Sequence, residues 1–143
     1  MTSPLTPQQR LRVIRIIHAS LMAGIIVLLL VSVWAHRATP PPVESDSFTT
    51  LRYAGLALLA ATLVALRLLP RPDPAPAPGQ GADQWWVASQ GRLIAMWATM
   101  EGAALFNAVV WFMTRDPTPL EAAAVALVML FLLRPGRYLG SFD

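Results

Sequence analysis

The feature that most constrains this chain is the grouping of its apolar residues into four blocks, separated by arginines, prolines and short polar runs. The first runs from Ile16 to Trp34, nineteen residues interrupted only by His18, Ser20 and Ser32. The second is Tyr53 to Leu69, the third Leu93 to Met113, and the fourth, shorter, Ala122 to Leu133. About 20 apolar residues rising 1.5 Å each cross a hydrocarbon core of about 30 Å. The pattern therefore predicts an all-α, polytopic membrane helical bundle with four transmembrane helices, forming a single membrane domain over residues 1–143. The expected spans are about 14–35, 51–69, 91–113 and 119–134, with a proline-rich linker at 70–82. A cleaved signal peptide is the competing reading of the first block. That block exceeds an h-region of about 7–15 residues, and Ala35-His36-Arg37-Ala38 is a poor cleavage site, so a retained span is expected.

Local signals refine the spans. Thr6-Pro7-Gln8-Gln9 reads as a capping box with proline at the first helical position, and Thr118-Pro119-Leu120-Glu121 as a second. Thr39-Pro40-Pro41-Pro42 cannot continue a helix. The run from Pro70 to Gly81 has polyproline character and no core-forming residues, so it is read as a spacer. Counted from Pro119, the fourth block gives roughly 22 Å of helix, which calls for local thinning of the bilayer or cover from its neighbours. Trp34 and Trp111 fit an outer aromatic belt, and Trp85 and Trp86 an inner one.

Charge gives orientation and excludes chemistry. Only 13% of residues are charged, against about 25% in soluble domains. All eleven basic residues are arginine. Four spans place Arg10, Arg12, Arg15, Arg67, Arg71, Arg92, Arg134 and Arg137 on one side, and Arg37, Arg52 and Arg115 on the other. That bias predicts a bacterial inner-membrane protein with both termini and the linker in the cytoplasm. The net charge of +3 sits at the ends of apolar runs, so it reads as topology, with no nucleic-acid partner. Absence of cysteine excludes disulfides, thiolate metal sites and cysteine nucleophiles. Absence of lysine excludes Schiff-base chemistry and a P-loop. No nucleophile–base pair, metal box or phosphate loop is legible, so neither enzymatic activity nor a cofactor or metal is expected.

The first and third blocks can be overlaid. Arg12-Val13-Ile14 matches Arg92-Leu93-Ile94, and His18 to Gly24 matches Trp97 to Ala103. The second and fourth end alike, in Leu68-Leu69-Pro70 and Leu132-Leu133-Arg134. The alignment suggests a duplicated helical hairpin. Small residues four apart admit close helix approach, so Ser20 and Gly24 on the first helix and Ala98 and Gly102 on the third are the expected packing contacts. Such a contact brings Met22 and Glu101 near one level.

Glu101 is the residue that most invites a function. It lies roughly 14 Å of helix from Arg92 and about 21 Å from Arg115, near the middle of its span. An ionised carboxylate there costs several kcal/mol unless it is protonated, paired or facing a polar cavity. Glu101, with Asn107, is thus a candidate for binding a proton or cation; the structural alternative is a hydrogen-bonded acid acting as glue across the bundle. The two residues lie about 120° apart on the helix. His18 is a candidate haem or pigment ligand, although no second ligand lies at matching depth, and His36 is about 27 Å further along the same helix.

The segment Ala98-Thr99-Met100-Glu101-Gly102-Ala103-Ala104-Leu105-Phe106-Asn107-Ala108-Val109-Val110 resembles the carboxylate helix of the rotor-ring c subunits of rotary ATPases. That resemblance implies that Glu101 is an ion-carrying carboxylate. It covers thirteen residues; the first span lacks that family's glycine-rich repeat, and the acid lies on the third helix of four. The same segment, with Arg134-Pro135 after the last span, also resembles small uncharacterised bacterial four-helix membrane proteins, a likeness that implies no activity. The small size and short loops lead to the expectation of a noncatalytic accessory or assembly subunit. Its partners would be the lipid bilayer and other membrane subunits or further copies of itself. The alternative is proton or cation handling by an oligomer through Glu101.

Overall fold

The computed structural model describes residues 6–43, 45–68, 79 and 81–135, with the side chains of residues 7, 82 and 83 excepted. The described residues form four helices: α1 (Pro7–Ala38), α2 (Asp46–Leu68), α3 (Ala82–Thr114) and α4 (Pro117–Leu132). Among the described residues there is no strand. α1, α2 and α3 are long and apolar enough to cross a membrane, whereas α4 is a shorter apolar helix of 16 residues. Most of the predicted linker lies outside the described residues, as do Arg71 and Arg137.

α1 and α4 each begin at a side-chain cap. At α1, Thr6 Oγ1 accepts from the Gln9 backbone N–H, and Gln9 Oε1 accepts from that of Thr6, with Pro7 at the first position. α4 begins earlier than its sequence suggests. Its cap is Asp116, whose Oδ1 accepts from the Thr118 backbone N–H at 2.8 Å. Pro117 follows at a position that needs no backbone donor, so the expected Thr118 box is displaced by two residues. The reversal from α3 into α4 passes through Arg115, which is left-handed (φ 56°) and donates its backbone N–H to Trp111 O at 2.8 Å.

α3 is the centre of the bundle. It packs against α1, α2 and α4, most extensively against α4, while α1 and α2 are not a packed pair. A duplicated hairpin would have placed α1 against α2 as α3 lies against α4. α1 and α3 run parallel: Gly24 lies against Glu101, and further along His36 bonds the Phe112 carbonyl. α1 turns one strip inward, with Ile14, His18, Ile25 and Ser32 buried and Leu21 and Leu29 half-buried between them. That spacing of three and four keeps one seam facing a neighbour. Beyond its polar ends, much of the remaining surface of α1 is exposed and apolar, including Val27, Leu30, Val31 and Trp34.

The small residues that do bury are not the expected ones. Ala103, Ala104 and Ala108 on α3, and Ala122, Ala123 and Ala126 on α4, are enclosed, and alanines at such positions let two helix backbones approach closely. Ser20, Ala98 and Gly102 are exposed instead. A side-chain carbon added to Gly102 would meet nothing within 4 Å, and one on Gly24 would meet only Glu101 Oε1, at 3.8 Å. The reason is helical phase: Met100, Ala104 and Asn107 define the buried face of α3, and Ala98 and Gly102 lie on the opposite face.

Candidate functional site

The acid lies where α3 faces α1. Glu101 is half-buried on the flank of α3 and points its carboxyl at Gly24. It makes no hydrogen bond or ion pair with any described residue. Ser20 and Gly24 on one side, and Ala98 and Gly102 on the other, are exposed beside it. The carboxyl thus stands beside residues with little or no side chain and has no partner among the described residues.

Asn107 does not join this site. Six residues on, it faces α2, where it is fully buried. Its Nδ2 donates to Gly55 O at 3.0 Å and to Ala103 O at 2.9 Å. Its Oδ1 has no conventional donor and abuts Gly55, leaving no room there for a Cβ. Gly55, the sole glycine of α2, was missed in the sequence; the signal was a lone asparagine in an apolar span, which demands a partner on some neighbouring backbone.

His18 has a structural occupation. Its Nε2 lies 2.9 Å from Leu130 O; a carbonyl has no proton to give, so Nε2–H is the donor. Trp97 packs edge-on against the imidazole at 4.8 Å and donates its Nε1–H to Leu133 O at 2.8 Å. Leu130 and Leu133 belong to the last turn of α4 and its cap, where carbonyls lack intrahelical partners. His18 and Trp97 therefore satisfy two orphan acceptors at the end of a short helix. The nitrogen usually offered to haem iron is already engaged, and the described residues contain no group of three metal-binding side chains.

A second clasp closes the opposite end. His36 Nε2–H donates to Phe112 O at 2.9 Å, with its ring against Trp111 and Phe112. Arg115 Nη2 donates to Thr39 O and Thr39 Oγ1, both at 2.6 Å. Arg52 on α2 pairs with Asp116 at 2.6 Å. The Thr118 backbone N–H, then its side chain, and last the Arg52 charge hold the Asp116 carboxyl below the ordinary carboxylate value, against an opposing push from burial.

The tryptophans divide differently from the predicted belts. Trp34 is 72% exposed, whereas Trp85, Trp86 and Trp111 are buried in the bundle. α3 is continuous from Ala82, so Trp85 and Trp86 form its first turn and pack inward. No protein family, curated protein or solved structure matches the chain.

Proposed function

We propose that this chain is a noncatalytic subunit of a bacterial inner-membrane complex, crossing the bilayer four times, and that it docks another transmembrane protein on the α1–α3 flank beside Glu101. The observation that carries this reading is the half-buried Glu101 carboxyl, which has no partner among the described residues and stands among exposed small residues. A carboxyl at mid-membrane is costly unless something satisfies it, and small residues let a second helix come close enough to do so.

The register of α1 and α3 supports a specific bilayer placement. Arg15 lies nine residues before Gly24, and Arg92 nine before Glu101. With Gly24 against Glu101, both arginines stand about 14 Å from that level, at the edge of a core about 30 Å thick. α4 then ends short of this edge, since Leu130 shares the level of His18, only about 9 Å from the middle. The arginine bias supports a cytoplasmic location for both termini.

Isolation of the tagged protein in mild detergent, with identification of stoichiometric companions, tests the reading. A defined set of membrane subunits, lost on Glu101→Leu, is expected; a lone monomer that is unaffected by the substitution would overturn it. The accessibility of the carboxyl favours a second reading, proton or cation handling by an oligomer. That reading requires a hydrophobic carbodiimide to label Glu101 and spare Glu101→Gln.

A further inference from the structure

A groove of about 640 Å³ runs along the first four turns of α1, lined among the described residues by Thr6, Gln8, Gln9, Leu11, Arg12, Arg15 and Ile16, and reaching Ala19. Its lining changes character along its length. Apart from Leu11, hydroxyl, amide and guanidinium groups occupy the end near the helix start, and Ile16 and Ala19 the other. Arg12 and Arg15, one turn apart, have no carboxylate partner among the described residues. We propose that this groove binds an anionic phospholipid of the cytoplasmic leaflet, with Arg12 and Arg15 on its phosphate and one acyl chain along Ile16 and Ala19.

The inference rests on the bilayer placement given above. In that frame Arg15 stands about 14 Å from the middle, Arg12 about 18 Å, and Gln8 about 24 Å, whereas Ala19 is about 8 Å from it. The polar end thus falls within the headgroup layer and the apolar end within the hydrocarbon. A free anion would have no use for the apolar half, and an uncharged lipid none for the two guanidinium groups. Arginine's planar fork suits phosphate oxygens two at a time. Basic pockets on the cytoplasmic side of membrane helices hold acidic headgroups by this means.

The experiment is native mass spectrometry of the purified protein after exchange into mixed micelles of phosphatidylglycerol and phosphatidylcholine. Phosphatidylglycerol should be retained preferentially, and the Arg12→Gln/Arg15→Gln variant should lose that preference by about thirtyfold. Arg37→Gln, at the opposite end of the helix, should keep it. Equal retention of both lipids, or a preference unchanged in the double variant, overturns the proposal. Release of the lipid by millimolar inorganic phosphate points to a free-anion site and overturns it as well. The bilayer placement is read separately, from an Arg15→Cys variant in intact cells. Since the chain has no other cysteine, labelling of position 15 by an impermeant thiol reagent from outside refutes the placement itself.

Discussion

Replacing His18 by leucine should loosen the end of α4, and the size of the effect can be worked from the contacts it removes. The imidazole donates to Leu130 O at 2.9 Å in a place where Leu130 is fully buried. Without that donor the carbonyl is left in apolar surroundings. In soluble cores an orphaned acceptor costs about 1–3 kcal/mol, whereas interhelical bonds within membranes average about 0.6 kcal/mol, with a maximum of about 1.7. Loss of the edge-on contact with Trp97 adds about 0.5–1 kcal/mol. The expected destabilisation of His18→Leu is therefore about 1–2 kcal/mol. His18→Gln, whose amide nitrogen reaches to nearly the position of Nε2, should recover much of it. Trp97→Phe should cost a similar amount through Leu133 O, and the two should couple by at least about 0.5 kcal/mol, since their rings touch. Reversible unfolding in mixed micelles of increasing SDS content, followed by circular dichroism, measures all four variants. A loss below about 0.3 kcal/mol for His18→Leu, or no recovery in His18→Gln, would show that α4 does not need this anchor.

Further expectations follow from other contacts. Gly55→Ala should destabilise the bundle by about 1–2 kcal/mol, because the new methyl group displaces the buried Asn107 amide. Asn107→Ala in the same chain should relieve part of that loss, read by the same titration. Asp116 has its folded-state acidity strengthened by Thr118 and Arg52; the stability it contributes is present above the unfolded value of about 3.9 and lost as pH falls through the lower folded value. Unfolding profiles from pH 7 to 2 should thus show an added loss only below about pH 4, absent in Asp116→Ala. Glu101→Leu should leave intrinsic stability unchanged or raised, since no described residue bonds the carboxyl. A loss above about 1 kcal/mol would identify Glu101 as internal glue and remove the ground for docking.

What could be read from the sequence was whatever depends on local chemistry. The apolar blocks gave the long helices, and Thr6-Pro7-Gln8-Gln9 gave the start of α1, because hydropathy and capping are set within a few residues. Helix phase was not legible. Alanine and glycine recur on every face of α3, and nothing in spacing alone distinguishes the buried Ala104 from the exposed Gly102. The displaced cap of α4 has a similar origin: Asp116 and Thr118 both offer an oxygen, and the choice falls to Asp116, which also meets Arg52 from α2. The partner of His18 was not legible either, since the Leu130 carbonyl lies 112 residues away in the chain. Glu101 stood out early because a lone acid in an apolar span is costly wherever its partner lies.

The docking face can be interrogated directly by placing a photo-crosslinking residue at Gly102, with Val125 of α4, also exposed, as a control position. Gly102 borders open space and tolerates a side chain within the fold, so the substitution does not disturb the bundle itself. Irradiation of native membranes should give one discrete higher-mass adduct from position 102 that disappears on Glu101→Leu, with no such adduct from position 125. Adducts equally diffuse from both positions, or a discrete adduct indifferent to Glu101, would contradict a partner seated on the acid.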